Sequence, residues 1–577
     1  MRMDEDGRKA TGAFRIARIW YAEVGGRARV ACDLAISSNG GSGHSEETKT
    51  LFFEVPGEYG KYLVWERCDA FVVLLLHTAL AAGYDIRSDV PMSSDLYHNI
   101  AEYVLPSLTK NGPFDIRVEA ETAPPLERGN GIGTGLSCGV DSLHAVHKYS
   151  AYPIEEFRLT HLCINDVGAF NDSLYWKAGG ANVRDNTYRR ARAAAEDIGL
   201  PLIETSSNVA KALRLNHFLT NSFSSAFAAL CMKKLWRRYY YASDGRDSLS
   251  EFSLKGWCGS KPSTYEPFLL RALSTPSFEL MPVGETESET EKIAEIADYD
   301  IARRHLYSCT WDLDNCCVCK KCIRNLTALD ALGKLDGFSE PYDLGYYRKH
   351  RWYYMWKVYE GRDDGSSAEV YDMLMEKGDP QMQEVSDIAE AVEEFDRLWE
   401  EDTAEADKKA VARIRPYLNR AKKPNFRMAR AYEAGRGVKK SHAKATECLE
   451  YCLSEYKAET EAGFQSVYQL FDLQWRLRRD DELLATIEPM LEYNRPEAKA
   501  RLARMYAKGR GVERDPSKAR ELMCEAAKRK PLYRSEYEKM LKESEEGSRD
   551  RPFISSGTHF SLGYSPILST MTSRSSP

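Results

Sequence analysis

The sequence predicts an α/β protein built on a doubly wound parallel sheet, with an α+β domain before it and a C-terminal α-helical repeat (an α/α solenoid) after it. Three observations carry this. From about Asp115 strands and helices alternate, the order of βαβ units with helices covering a parallel sheet. Residues 13–55 instead alternate apolar and polar side chains with a period of two, as strands with one buried face do. Towards the C terminus a ten-residue motif recurs 74 positions on, about two units of 37, the length of a paired-helix repeat.

The 577 residues exceed what one core can hold. They divide into a lead domain at 1–125, the parallel-sheet domain at 126–335, a helical linker at 336–420, repeats at 421–545 and a Ser-rich tail at 546–577 expected to be disordered. A net charge of −7 excludes a dedicated basic nucleic-acid binder, so nucleic acid is not an expected partner. The longest apolar run, 70–82, carries His77 and is too short for a bilayer, so no membrane partner is expected. Residues 1–9 are charged and no apolar core follows them, so no secretory signal is expected. The location expected is cytoplasmic, with its 14 cysteines reduced.

In the lead domain, Phe14, Ile16 and Ile19, then 29–36 and 50–55, mark strands, and the Gly/Ser-rich stretch 37–48 joins two of them. A buried helix at 70–82, an edge strand at 85–91 and a helix at 94–108 follow. No chemistry is visible here; the expected role is packing against the next domain or shaping its substrate mouth.

The next domain reads as strands at 132–136, 157–164, 202–205 and 239–242, with helices at 143–149, 186–198 and 216–235 between them. Gly199 and Pro201 end one helix and restart a strand. This order brings 137–142, Asn165-Asp166 and Ser243-Asp244-Gly245 to one edge, where parallel sheets take ligands. The stretch Gly135-Leu136-Ser137-Cys138-Gly139-Val140-Asp141-Ser142 is a strand end, a tight turn and a first helical turn. Unpaired N–H groups and the helix dipole favour an anion there. Ser137 and Ser142 add hydroxyls, Gly139 permits close approach, and Asp141 could hold a metal ion that bridges phosphates. The Gly-Lys-Ser/Thr of a Walker loop is absent.

The second motif is the run Cys316-x2-Cys319-x2-Cys322 with Cys309 upstream, four thiolates at spacings that can close around one tetrahedral Zn²⁺. Cys317 is a spare that could replace Cys316, and an iron–sulfur cluster is the lesser metal option. The aromatic, basic stretch 347–360 could stack bases, or pack as a helix on a neighbour.

The turn resembles the Ser-Gly-Gly-x-Asp-Ser signature of the PP-loop ATP pyrophosphatases, with Cys138 where that family has its first Gly. Joined to the cysteine run and the tail Cys-Lys-Lys-Cys-Ile-Arg-Asn at 319–325, it looks like 7-cyano-7-deazaguanine synthase and its relatives, over about 125–335. The resemblance implies a PP-loop/HUP-like fold and an ATP-dependent ligase that adenylates a small-molecule carboxylate, such as a deazaguanine. AMP and pyrophosphate would leave, and ammonia or an amine would attack. It implies ATP and Mg²⁺ as cofactors, with Ser137, Cys138, Gly139, Val140, Asp141 and Ser142 around the phosphates and Asn165 and Gly245 near the adenosine. Asp141, Ser142 and Lys292, the last in the acidic helix 285–297, would act in catalysis. Two rivals stay open: a tRNA- or nucleobase-modifying enzyme, and a degenerate scaffold that only senses nucleotide. Cys138 is expected to be tolerated at negative φ; otherwise its thiol, lowered by the helix N-terminus, forms a redox block, or the site has lost catalysis.

The repeat is Ala429-Arg430-Ala431-Tyr432-Glu433-Ala434-Gly435-Arg436-Gly437-Val438, found again from Ala503 to Val512, with Tyr468 in a decayed copy between. It resembles Sel1-like repeats, which implies paired helices and a protein partner docked on them.

Overall fold

Two sheets occupy the N-terminal part of the computed structural model, which describes residues 10–549 apart from 41–42, 111, 171–179, 244–251, 255–256, 258–263, 310–311, 364, 455–460 and 493–494. The chain divides into two units, 1–386 and 387–577. Of the tail expected at 546–577, residues 546–549 end the helix Arg534–Arg549, and the rest lies outside the described residues.

The first sheet is mixed, with six strands. They are β1 (Gly12–Val24), β2 (Arg27–Gly40), β3 (Gly43–Pro56), β4 (Tyr84–Ser93), β5 (Val118–Ala123) and β9 (Ser206–Ser207), in the order β5-β4-β1-β2-β3-β9. β1, β2 and β3 form an antiparallel meander, whereas β4 runs parallel to both β1 and β5. The predicted edge strand is therefore interior, between β5 and β1. The stretch read as one helix at 94–108 is broken into Ser94–Asn99, a π turn at Ile100–Val104, and Leu105–Thr109. Pro106, lacking an amide hydrogen, opens the last piece.

The second sheet is wholly parallel. Its strands are β6 (Gly131–Gly135), β7 (His161–Ile164), β8 (Leu202–Glu204), β10 (Trp236–Ala242) and β11 (Glu279–Val283), in the order β11-β10-β6-β7-β8. The sequence direction of the order reverses between β6 and β10, and at such a point the carboxyl ends of two strands diverge to leave a crevice.

One core joins the two sheets. Helix α1 (Asp69–Ala82) is apolar all round because it is buried all round, between the mixed sheet and the helix His217–Cys231. Phe227 on that helix meets Phe53 and Phe71 edge-on at ring distances of 5.7 and 5.4 Å. The lead segment is thus not a separate body but half of a shared interior.

The stretch read as a linker is divided. Residues 336–386 belong to the first unit, and helix α7 (Arg351–Glu360) is buried through Tyr354, Met355, Trp356, Val358 and Tyr359. Its buried aromatics pack on neighbours, as the second reading expects, while Trp352 and Tyr353 are half-buried. From the helix Pro380–Glu400, which runs across the boundary at 386, helix pairs follow one another through the second unit: Pro380–Glu400 with Ala404–Ile414, Lys422–Ala434 with His442–Ser454, Glu461–Leu477 with Asp480–Glu492, and Pro496–Lys508 with Pro516–Arg529. The repeated Arg explains the stacking. Arg436 donates to the Asp407 carboxylate and, at 2.9 Å, to the Trp399 carbonyl, with its guanidinium 4.0 Å from that indole. Arg510 does the same to Asp480 and Trp475, at 2.7 and 3.9 Å. The second glycine leaves room for this. At Gly437 and Gly511, both at positive φ, a Cβ would lie 2.3 Å from the carbonyl oxygen of Asp407 and of Asp480. Residues 387–414 therefore play to the first repeat the part that 461–492 play to the last.

Candidate functional site

β6 ends in the crevice of the parallel sheet, and its extension Leu136 still donates to the Cys163 carbonyl at 2.7 Å. The chain then turns into α2 (Val140–Ser150), with Gly139 as N-cap and no side chain capping the first amides. Ser137 Oγ accepts from the Gly139 amide at 3.4 Å and donates to Ser142 Oγ at 3.3 Å, while Ser142 Oγ donates to the Gly139 carbonyl at 3.0 Å. The small polar residues thus preorganise the turn among themselves, and the helix N-terminus stays open to an anion.

Two expectations at Cys138 are corrected. The residue is left-handed, at φ 62°, not at negative φ. Its carbonyl is held there by the Tyr307 amide at 2.8 Å. The thiol is wholly buried and pushed up to about 12 by burial, so the helix terminus does not lower it. A sealed, protonated thiol gives the redox block no chemistry. Gly139, by contrast, has an ordinary φ of −76°, and a Cβ there would come no nearer than 3.5 Å to Ser137 Oγ. Its value is open space above the helix, not conformational freedom.

Lys292 arrives from α5 (Glu289–Ile296), which follows α3 (Gly180–Ile198) and α4 (His217–Cys231) along the chain. Its buried ammonium donates to Asp141 Oδ1 at 2.8 Å and to the Ser243 carbonyl at 2.7 Å. Ser288 starts α5 with a capping box closed by Glu291, a pattern readable in the sequence as Ser-x-x-Glu. Gly284, at φ 85°, makes room for the lysine: a Cβ there would lie 2.8 Å from Lys292 Cε. Two further pairs join α2 to this segment, His144 Nε2 to Glu295 at 2.7 Å and Lys148 to Glu287 at 2.5 Å. Burial lowers the His144 pKa against the pull of Glu295. Asn165 ties the strand ends together, donating to Tyr239 Oη at 3.1 Å and accepting from Thr205 at 3.2 Å. Gly245 lies outside the described residues.

The Cys309, Cys316, Cys319 and Cys322 sulfurs all lie within 4.8 Å of one another. Sulfurs about 2.3 Å from one tetrahedral ion stand roughly 3.8 Å apart, so the four fit a Zn²⁺. Amides of Asp312 and Cys319 point at the sulfurs of Cys309 and Cys316, each at 3.3 Å, which favours thiolates. Cys319 caps α6 (Lys320–Leu332). Cys317 is excluded from the cluster. Its backbone is left-handed at φ 60°, its thiol contacts the Asn315 carbonyl, and its own carbonyl accepts from Tyr354 of α7 at 2.6 Å.

Residues that the motifs did not single out connect the two sites. Arg324, inside the Cys-Lys-Lys-Cys-Ile-Arg-Asn run, pairs with buried Glu289 at the start of α5. Burial raises the Glu289 pKa, helped by nearby Asp141. The cysteine cluster thereby braces the helix that carries Lys292.

Among known proteins, the Sel1 repeat family matches residues 425–451 and 496–530, and the C-terminal region carries Sel1 repeats. No curated protein matches the chain. Among solved structures, a protective antigen present in uropathogenic Escherichia coli strains and displaying an SLR fold is similar at 13% identity, with a TM-score of 0.22. That match covers 42% of this chain and 65% of the antigen, less than two thirds of its length. No helix among the described residues is long and apolar enough to cross a membrane.

Proposed function

We propose that 126–335 is a PP-loop-type module that adenylates a small carboxylate with ATP, releasing pyrophosphate, after which ammonia or an amine attacks the acyl adenylate and displaces AMP. The Sel1 repeats dock a protein partner of that reaction. The observation that carries this reading is Lys292: an ammonium 151 residues along the chain from Asp141 sits 2.8 Å from it, beside an open helix N-terminus at the crevice of a parallel sheet. The strand order and the four-cysteine cluster agree with it.

The chemistry asked of these residues is positioning and charge stabilisation. The first amides of α2 and the Ser137 and Ser142 hydroxyls would cradle the phosphates, and Lys292 would balance charge growing on the leaving pyrophosphate. Asp141 commits one oxygen to Lys292 and is 27% exposed, so it can offer the other to Mg²⁺, a cation that prefers such oxygens. When bound, Mg²⁺ would neutralise phosphate charge. Zn²⁺ at the cysteines would be structural.

Incubating the full chain with ATP, 7-carboxy-7-deazaguanine and ammonia tests the reading. AMP and pyrophosphate are expected, lost in Asp141→Asn without change in circular dichroism. ADP and phosphate, or no cleavage with any carboxylate tried, would sink it.

A further inference from the structure

A cavity of about 320 Å³ opens where the two sheets of the first unit meet. Arg27 at the start of β2, Arg184 and Arg192 on α3, and Thr205 and Ser206 at the step from β8 to β9 line it. That step explains the placement. Glu204 and the residues before it pair with β7 in the parallel sheet, whereas Ser206 and Ser207 pair with Glu54 and Phe53 of β3. The chain changes sheets at Thr205, and Arg27 reaches across to donate to the Glu204 carbonyl at 2.7 Å. Thr205 follows the carboxyl end of β8, on the edge where parallel sheets take ligands. With strands about 4.8 Å apart, the cavity lies roughly 10 Å, two strands, from the end of β6 and its turn.

The lining holds three guanidinium groups and one carboxylate, Asp185, to which Arg184 donates at 3.2 Å. Each guanidinium also has a carboxylate neighbour that is not part of the lining. Arg192 Nη2 donates to Glu204 at 2.6 Å, Arg184 is 3.7 Å from Asp166, and Arg27 is 3.8 Å from Glu54. Arg27 Nε is buried and makes no hydrogen bond among the described residues. Planar guanidinium forks match planar or tetrahedral oxyanions, and the volume suits a small molecule at the lower end of ligand sites.

We propose that this cavity binds the oxyanion head of a small ligand, a carboxylate or a phosphate, held by Arg27, Arg184 and Arg192. The lead segment then has a part in binding: it supplies one of the three cations. The acceptor carboxylate and the pyrophosphate product of the proposed reaction both carry this chemistry, and in naming those two sources the inference rests on that reading. The occupancy itself does not.

Calorimetric titration of the full chain at low ionic strength tests it, with 7-carboxy-7-deazaguanine in one arm and inorganic pyrophosphate in the other. Arg184→Gln and Arg192→Gln are suitable variants, because both side chains are partly exposed and neither supports backbone across the sheets. At least one probe is expected to bind, and each variant to weaken it tenfold or more. Binding of a non-cleavable ATP analogue should change less than threefold. A response to the carboxylate alone assigns an acceptor subsite, and a response to pyrophosphate alone assigns a product site. No binding of either probe, or binding that both variants leave unchanged, overturns the proposal. A chain that binds the oxyanion in this variant-sensitive way but cleaves no ATP removes the adenylation reading and leaves the cavity assigned. Cleavage to AMP with variant-insensitive oxyanion binding does the reverse.

Discussion

Cys138 shows what a side chain costs where a glycine would be at ease. A left-handed L-residue is worth about 1–2 kcal/mol of strain. Burying the thiol returns about 1 kcal/mol, and a glycine would add freedom to the unfolded chain. The opposing effects nearly cancel, so Cys138→Gly should shift unfolding free energy by less than about 1.5 kcal/mol in urea titration. The pH dependence is a sharper readout. Because burial raises this thiol from 9.0 to about 12 in the fold, its contribution is complete below pH 9 and lost as pH rises towards 12. Wild type should lose stability over that window more steeply than the glycine variant, and equal slopes would contradict the buried assignment. The six-residue turn was legible because small and polar residues crowd between a strand and a helix. The sign of φ at 138 was not, since the Tyr307 amide that holds it comes from 169 residues away.

Elements carry the next two expectations. The spacing of the cysteine run predicts a metal, but the choice between Cys316 and Cys317 turns on the left-handed backbone at Cys317, which spacing does not encode. Metal analysis should find about one Zn per chain, retained in Cys317→Ser and lost in Cys322→Ser. In the latter, hydrogen exchange at the start of α6 should quicken, and with it exchange in α5, since Arg324 braces Glu289. Zinc lost equally in both variants would reject the assignment of ligands. In the repeats, Gly511→Ala places a Cβ 2.3 Å from the Asp480 carbonyl at a positive φ. Strain and clash together should cost about 2 kcal/mol or more, seen as a lowered Tm, whereas Gly378→Ala, also at positive φ but with nothing near its Cβ, should cost less. The repeat was visible in sequence as Gly-Arg-Gly at a fixed offset. The helix pair at 387–414 was not, because it shares with the repeats the partners of that arginine and not the arginine itself.

At the scale of the whole chain, the two units divide at Ser386, inside the helix Pro380–Glu400, so a cut is placed after that helix. A chain ending at 402 should keep cooperative unfolding and the proposed nucleotide binding while losing any partner docked on the Sel1 repeats, measured by thermal melting and by pull-down from a lysate. Capture of the same partner by the truncated chain would count against docking on the repeats. A cut at 125, the boundary that composition suggests, should instead give insoluble halves, since α1 and β3 would lose the helix and strand that cover them.

The two-residue strand β9 also orders events in time. During synthesis β3 is complete by Pro56, yet the segment that covers its free edge leaves the ribosome only after Ser207. For some 150 residues of elongation the apolar end of this strand, Leu51–Val55, has one side open at Phe53 and Glu54, a template on which chains stick to one another. A nascent chain of this protein therefore has more need of a chaperone before residue 207 than after it.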